Sequence, residues 1–140
     1  MNKTIKVSTT IEAPLNTAWE AYTNPEHIVR WNFASDDWHC PSASSDLRVG
    51  GKFSSKMAAR DGSFAFDFEG IYTRVEPHKN LAYSFGDRQA EIAFEAVSPT
   101  QTKVVVTFDP EAENPEEMQR QGWQAILDNY KKHAESLVRA

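Results

Sequence analysis

The chain has 140 residues, 40% of them hydrophobic, which is enough for one domain with its own core, and we expect that domain to occupy residues 1–140. Its 15 basic and 20 acidic side chains give a net charge of −5, and the basic residues are scattered along the chain. This balance excludes the concentrated positive surface by which proteins bind nucleic acid.

Cysteine content and hydropathy limit the compartment in which the chain works. The single cysteine, Cys40, excludes a disulfide within the chain, and residues 1–10 are too polar for the apolar region of a signal peptide. No run of about 18 apolar residues is present, so no segment is expected to span a membrane. We therefore expect a soluble, cytoplasmic protein that is a monomer or a homodimer.

The beginning of the chain predicts one strand and two short helices. Residues 3–12 alternate between apolar and polar side chains, which is the period of a half-buried strand, and Pro14 ends it. A helix is then indicated by apolar residues at helical spacing: Leu15, Ala18, Trp19 and Tyr22. Asn24 and Pro25 suit a helix cap and a first helical position, so they predict a second short helix.

Residues 32–45 show neither the helical nor the strand period. Aspartate, serine and proline accompany two large aromatic residues, Phe33 and Trp38, and this mixture favours an ordered loop over a flexible linker. Because such rings are costly to leave in water, we expect them to pack at one end of a sheet. The loop is therefore a candidate lid.

The middle of the chain predicts β-strands joined by short turns. Residues 46–60 indicate two strands separated at Gly50-Gly51, and the Asp-Gly pair at 61–62 indicates a hairpin. An aromatic strand follows, in which Gly70 marks a bulge or a bend. Three further strands have apolar residues at alternating positions: Leu81, Tyr83 and Phe85; Ala90, Ile92, Phe94 and Ala96; Val104, Val106 and Phe108.

Residues 114–139 predict one long amphipathic helix. Asn114 can cap it, Pro115 suits its first position, and Glu117 can return a hydrogen bond to the cap. Its apolar stripe consists of Trp123, Ile126, Leu127, Tyr130, Ala134, Leu137 and Val138. We expect this whole stripe to be buried.

Together these elements predict an α+β fold. An antiparallel sheet of about six to seven strands with one apolar face has to curl, and a single helix covers it by lying in its concavity. Two short helices after the first strand complete this arrangement, which is called a helix grip. The aromatic inner face has two interpretations, a packed core or a ligand cavity, and composition alone favours the core.

Two groups of polar residues are candidates for chemistry. The first, a possible metal-ligand set, consists of Asp36, Asp37, His39 and Cys40. It lacks the spacing of a preorganised metal site, so a solvated loop is the preferred interpretation. The second group is Asp67 and Glu69, whose pKa values would be raised if a bulge at Gly70 turned either inward; the alternative is that both face water. We predict no catalytic residue, no metal and no cofactor.

A set of short motifs, taken in order, resembles a known family. The motifs are Ile11-Glu12-Ala13-Pro14, Ala18 to Thr23, Trp31, Asp46 to Phe53, Phe68-Glu69-Gly70 and Gly122-Trp123. They are similar to the START-like (SRPBCC, birch-pollen-allergen-like) superfamily, and within it to the subfamily named after the activator of the ninety-kilodalton heat-shock protein ATPase. The resemblance implies a helix-grip domain whose cavity holds lipids, sterols, polyketides or other apolar molecules.

This resemblance shifts the interpretation of the aromatic face towards a cavity. The residues expected to line it are Trp31, Phe33, Trp38, Phe53, Met57, Phe66, Phe68, Tyr72, Tyr83, Phe85, Phe94, Phe108, Trp123, Ile126, Leu127 and Tyr130. The hydroxyls of Tyr72, Tyr83 and Tyr130 would then orient the polar end of a ligand.

Three functions are compatible with the sequence. The leading hypothesis is a non-enzymatic domain that binds a small apolar molecule, gated by residues 32–45. The second is an interaction module, a cochaperone or stress-response accessory that acts on a chaperone ATPase. The third is a cyclase- or hydrolase-like enzyme that uses an inward-facing polar residue in the same cavity.

Overall fold

The structure, a computed structural model, describes residues 4–138. Its elements in chain order are β1 (Ile5–Ile11), α1 (Leu15–Thr23), α2 (Pro25–Ile28), β2 (Trp38–Ser45), β3 (Lys52–Ala59), β4 (Ala65–Glu76), β5 (Asn80–Phe85), β6 (Arg88–Ser98), β7 (Gln101–Phe108) and α3 (Glu116–Val138). The strands form a seven-stranded antiparallel sheet in the order β1-β7-β6-β5-β4-β3-β2.

From β2 to β7 each strand pairs with the next one along the chain, and β1 closes the far edge against β7. In the register, Val7 and Ile92 both lie beside Val106, so alternate residues of neighbouring strands share one buried face. The core is therefore built on the concave side of the sheet, as the alternation predicted.

The sheet curls at irregularities in its pairing. The register shifts between Tyr72 and Arg74 on β4, and similar shifts occur on β2 and β6. Gly70, where we predicted a bulge or bend, pairs regularly with Phe53, so the irregularity lies just beyond it.

Helix α3 lies against β1 and α1, and its buried residues include Leu127, Tyr130 and Ala134. This confirms the predicted helix-grip architecture and strand number. The prediction that the stripe continues to its end was wrong, since Leu137 is 36% and Val138 49% exposed. Glu135 already contacts Glu12, at the end of β1, so the last helical turn runs past the sheet. Arg139 lies outside the described residues.

Side chains of α3 also cover the free edge of β1, in a set of contacts that we call the edge ladder. Three side chains donate to backbone carbonyls, and one carboxylate accepts from a backbone N–H. The pairs are Arg120 with Lys6 (2.9 Å), Gln124 with Ser8 (3.2 Å), Lys131 with Thr10 (3.0 Å) and Glu135 with Glu12 (2.9 Å). Unpaired strand edges invite association with other chains, and the edge ladder protects this one.

Two predictions about the segment 32–60 were wrong. Strand β2 lies inside the predicted loop, and residues 46–51, predicted as a strand, form a turn. A Cβ on Gly51 would come 2.0 Å from the Asp46 carbonyl oxygen, so the turn is too tight for another residue. β2 escaped notice because an edge strand that pairs on one side only need not alternate in polarity. The candidate lid is thereby reduced to residues 32–37.

The helix starts agree in part with the sequence. The Asn24 side chain accepts a hydrogen bond from the Glu26 N–H at 2.9 Å and so caps α2 as predicted. Helix α3 begins at Glu116, and its approach is fixed by Gln119, whose amide donates to the carbonyl of Asn114 at 2.8 Å. Among the helices within residues 4–138, none has the length and apolarity needed to cross a membrane.

Candidate functional site

A cavity of about 240 Å³ lies between α3 and the concave face of the sheet. Strands β3, β4 and β5 supply most of its floor, α3 supplies its roof, and α1 and α2 close one side. Its lining residues are Tyr22, Ile28, Trp31, Asn32, Phe53, Ser55, Met57, Phe66, Phe68, Tyr72, Leu81, Tyr83, Val106, Trp123, Ile126 and Leu127. Phe66 is also 44% exposed, so the cavity wall reaches the protein surface there.

The floor is built from aromatic rings on neighbouring strands. Tyr72 and Tyr83 are directly paired in the β4–β5 register, so both rings stand on the same face. The Phe53 ring contacts them, with centroid distances of 5.2 Å to Tyr72 and 4.8 Å to Tyr83. Phe53 occupies the space above Gly70, where a Cβ would come within 2.6 Å of its ring carbons.

The roof is positioned by helical spacing and by one stacking contact. Ile126 and Leu127 follow Trp123 by three and four residues, which places all three on one face of α3. The Trp123 indole stacks on Phe108 with a centroid distance of 3.9 Å and an interplanar angle of 8°. This contact fixes the ring of Trp123 beside the cavity.

Three tyrosine hydroxyls belong to the cavity lining, and their partners differ. The Tyr72 hydroxyl is 2.7 Å from the Ser45 Oγ atom. Within residues 4–138, the hydroxyls of Tyr22 and Tyr83 have no hydrogen-bond partner, yet neither is enclosed by protein atoms. We infer that both point into the cavity.

The electrostatics of these groups keep them neutral. Burial, and then the neighbouring Tyr72, raise the pKa of Tyr22. Burial raises the pKa of Tyr83 well above its ordinary value, and the nearby Tyr22 and Tyr72 raise it further. Near neutral pH all three hydroxyls are therefore uncharged and can donate a hydrogen bond.

The structure places most of the predicted lining residues at the cavity and leaves others elsewhere. Those that line it are Trp31, Phe53, Met57, Phe66, Phe68, Tyr72, Tyr83, Trp123, Ile126 and Leu127. Those that do not are Phe33, Trp38, Phe85, Phe94, Phe108 and Tyr130.

The residues outside the cavity have other contacts. Phe33 lies beside the Arg60 guanidinium, and Trp38 packs against Phe64 and Phe66 at the sheet edge. Three phenylalanines pack against other rings of the core. Phe94 contacts Trp19 and Tyr22, and Phe108 stacks on Trp123. Phe85 contacts Phe68 and Trp123. Tyr130 is fully buried, and its hydroxyl donates to the Ala18 carbonyl at 2.7 Å instead of facing a ligand.

Sequence reasoning missed some of the lining: Tyr22, Ile28, Asn32, Ser55, Leu81 and Val106. Ser55 shares its strand face with Phe53 and Met57, so alternation carried the signal for it. Tyr22 and Ile28 lie on short helices whose position relative to the sheet is not encoded in their spacing. Asn32 has no local signal.

The polar groups considered for catalysis do not enter this cavity. Asp67 and Glu69 are exposed, on the side of β4 opposite to Phe68. Among the described lining residues, none has a carboxylate, imidazole, ammonium or guanidinium group.

The possible metal-ligand set is also dispersed. Cys40 is buried, and its Sγ donates to the Ser42 carbonyl at 3.4 Å, while His39 is beside it on β2 and the two aspartates lie in the preceding turn. Across residues 4–138 there is no group of three or more His, Cys, Asp or Glu side chains able to hold a metal ion.

Comparisons with known proteins agree with this architecture. The sequence model of the activator of Hsp90 ATPase homolog 1-like protein family matches residues 12–135. A solution structure of the AHSA1-like protein from Aeromonas hydrophila is 40% identical, with 97% of this chain and 96% of that chain covered, at a TM-score of 0.87. A solution structure of a protein from Cytophaga hutchinsonii is 41% identical, covers 96% of this chain and 94% of that chain, and has a TM-score of 0.80.

More distant structures share the fold alone. A crystal structure of a protein from Nitrosomonas europaea is 18% identical over 98% of this chain and 97% of that chain, with a TM-score of 0.82. No curated protein matches the chain. The family match over most of its length, together with the helix-grip architecture, shows that the chain belongs to the activator of Hsp90 ATPase homolog 1-like family, within the START-like superfamily.

Proposed function

We propose that this protein binds a small, largely apolar molecule in the cavity between α3 and the sheet. The observation that carries the proposal is a volume of about 240 Å³ left between aromatic and aliphatic side chains that are otherwise well packed. Small-molecule sites are typically concave and lined mostly by apolar and aromatic side chains with a few polar groups. This cavity has that character, since aromatic and aliphatic residues are accompanied by Asn32, Ser55 and three tyrosines.

The cavity volume narrows the choice of ligand. About 240 Å³ lies just below the range of roughly 300–1,000 Å³ that is common for small-molecule pockets. A compound with one or two rings, such as a small polyketide-like molecule, suits it better than a sterol or a long acyl chain. Larger lipids would require movement of the roof or of residues 32–37.

Access to the cavity is proposed to involve residues 32–37. Asn32 belongs to the lining, and the next residue, Phe33, accepts a hydrogen bond from the Asn129 amide of α3 at 2.6 Å. Arg60 holds the far end of the segment by donating to the Asp36 carbonyl at 2.8 Å. The segment is tied to the helix at one end and to the sheet at the other, as a gate beside an opening would be.

The test is ligand titration monitored by backbone amide shifts. Small aromatic compounds, a fatty acid, a sterol and a flavonoid are added to the labelled protein, and native mass spectrometry of the purified protein is used to look for a retained molecule. Shifts are expected at residues of β3, β4, β5 and α3 that line the cavity. Shifts confined to the outer face of the sheet, or none at all, would refute the proposal.

A variant with a filled cavity, compared with a matched control variant, tests where the ligand binds. Ile126→Trp adds a bulky ring from the roof into the cavity, and we expect ligand binding to weaken at least tenfold. Val97→Trp adds the same ring at an exposed site outside the lining, and binding should be unchanged. Equal binding by the two variants would mean that ligands sit elsewhere.

A second candidate function is interaction with a chaperone ATPase, as the family description suggests. The feature that favours it is an exposed aromatic cluster at the sheet edge, in which Trp38 contacts Phe64 at 6.1 Å and Phe66 at 6.0 Å between ring centroids. Exposed apolar groups of this kind are common at protein interfaces. An ATPase assay with purified Hsp90 and Phe64→Ser tests it: stimulation by the wild type that the variant loses supports it, and no stimulation at saturation rejects it.

A further inference from the structure

Tyr22 and Tyr83 each bring to the cavity lining a hydroxyl that has no hydrogen-bond partner within residues 4–138. Tyr83 is only 7% exposed. Neither hydroxyl is enclosed by protein atoms, so both remain accessible from the cavity that the two tyrosines line. A ligand atom or a water molecule in the cavity would satisfy them.

Tyr22 and Tyr83 reach the cavity from different elements of the fold. Tyr22 comes from α1, where its ring packs on Trp31 at 5.1 Å and on Tyr130 at 5.0 Å, while Tyr83 comes from the middle of β5. Tyr72, the direct strand neighbour of Tyr83, brings a third hydroxyl, which Ser45 already engages. Tyr22 and Tyr83 line the same cavity of about 240 Å³, so one compact ligand can contact both.

The charge of the lining decides which chemical group can bind in this cavity. The described lining has no ionisable acid or base other than tyrosine. A carboxylate or an ammonium group entering the cavity would lose its hydration without gaining a counter-charge, which is strongly unfavourable. A neutral acceptor such as a ketone, an ester or an ether loses far less, and it gains up to two hydrogen bonds.

We propose that Tyr22 and Tyr83 form a donor pair that selects an uncharged ligand with a hydrogen-bond acceptor on a compact apolar frame. This inference deepens the proposed function and rests on it, since it names the ligand class that the same cavity takes. It disfavours free fatty acids, which are charged at neutral pH, in favour of neutral carbonyl compounds.

The test compares three small probes that share one frame and differ in the polar group: 1-tetralone, the parent hydrocarbon tetralin, and tetralin-1-carboxylate at pH 7.5. Dissociation constants are measured by amide-shift titration. For the wild type, the ketone is expected to bind about five- to tenfold more tightly than the hydrocarbon, as one or two net hydrogen bonds predict, and the carboxylate more weakly than either.

Tyrosine-to-phenylalanine variants test whether the preference for the ketone over the hydrocarbon comes from the hydroxyls of Tyr22 and Tyr83. In Tyr22→Phe/Tyr83→Phe, the ratio between hydrocarbon and ketone dissociation constants should fall to near one, while hydrocarbon binding is retained. Tyr130→Phe is the control, because its hydroxyl is already bound to Ala18 and lies outside the lining, and it should keep the wild-type ratio. Thermal unfolding of each variant verifies that it is folded.

The outcomes separate this inference from the proposed function. Equal affinity of the wild type for the ketone and the hydrocarbon would overturn the donor pair but leave cavity binding intact. This outcome is measured on the wild-type protein alone and so does not depend on the folding of any variant. Tightest binding by the carboxylate would overturn the uncharged ligand class. Absence of binding by all three probes, with no shift at any lining residue, would overturn the donor pair and count against the cavity function itself.

Discussion

The Trp123 indole lies parallel to the Phe108 ring, 3.9 Å away between centroids, and this contact links the last strand of the sheet to the roof of the cavity. Phe108 is 1% exposed, so its whole ring is used in supporting Trp123 and the surrounding core. Although both residues were predicted to line the cavity, only Trp123 does. The stack therefore joins a residue that borders the cavity to one that supports it from the core.

Loss of that support should be costly. Phe108→Ala is expected to lower the free energy of unfolding by about 3–5 kcal/mol, since it removes a fully buried ring and leaves Trp123 without its stacking partner. Phe64→Ala, which truncates the same type of side chain at an exposed position, should change it by less than about 0.5 kcal/mol. Urea unfolding followed by circular dichroism measures both. A small effect of Phe108→Ala would show that the stack is not part of the core.

The cavity hydroxyls should behave differently from a bound one when removed from the ligand-free protein. Tyr130→Phe deletes a buried hydrogen bond to Ala18, so we expect a loss of about 0.5–1.5 kcal/mol in the free energy of unfolding. Tyr83→Phe deletes a hydroxyl that has no partner within residues 4–138, and it should be neutral or stabilising. Chemical unfolding of the two variants in parallel decides the matter. Similar losses for both would indicate that the Tyr83 hydroxyl is engaged.

Two glycine-to-alanine substitutions should have opposite signs. At Gly70 an added Cβ would lie 2.5 Å from the Ser84 carbonyl oxygen and 2.6 Å from the Phe53 ring, so Gly70→Ala is expected to destabilise the protein by about 1–3 kcal/mol. At Gly122, on α3, a Cβ would meet nothing within 4 Å, and Gly122→Ala should stabilise by about 0.5–1 kcal/mol. Thermal unfolding distinguishes them. Stabilisation by Gly70→Ala would contradict the close packing of Phe53 on the strand.

The edge ladder predicts a specific role for a buried acid. Glu135 accepts hydrogen bonds from the Glu12 N–H at 2.9 Å and from the Lys131 ammonium at 2.6 Å, so Glu135→Ala should cost about 1–3 kcal/mol. Glu117, which pairs with Arg120 at 3.6 Å on the exposed side of α3, supplies the control, and Glu117→Ala should cost less than about 1 kcal/mol. Hydrogen exchange of the Glu12 amide provides a local readout. Unchanged protection of that amide in Glu135→Ala would argue against the ladder.

A histidine pair between α2 and α3 predicts a pH dependence. The His27 Nδ1 atom lies 2.9 Å from the His133 Nε2 atom, and burial, then His27 and Arg30, lower the pKa of His133. Well above pH 6.5 the His133 imidazole is neutral in both the folded and the unfolded chain. Below that value the unfolded chain binds the proton more readily, so stability should decline as the pH falls from 6.5 towards the depressed pKa of the folded protein.

Substitution of His133 measures this contribution. In His133→Gln, the part of the acid destabilisation between pH 7.5 and pH 5.5 that comes from this group should disappear. Urea unfolding at several pH values gives the slopes. An identical slope for His133→Gln and the wild type would show that His133 does not contribute to the pH dependence in this range.

The strands and helices with a regular polarity pattern could be predicted from the sequence alone. Each of these elements buries one face. Burial of one face requires apolar residues at alternate positions in β1, β5 and β7, and at three- and four-residue spacing in α3, and both patterns are visible in the sequence. Curling of a one-sided sheet around one helix follows from the same need. For this reason the helix-grip architecture was predictable before any coordinates.

Tertiary structure alone decided which inward residues border the cavity. Periodicity shows which face of an element is buried, but it does not show where α3 crosses the sheet, and that crossing separates Phe108 and Tyr130 from Tyr22 and Ser55. It also paired the Tyr130 hydroxyl with Ala18 and left that of Tyr83 without a partner within residues 4–138. Hydrogen-bond partners far apart in the chain come together only when helix and sheet pack, so no local pattern contains them.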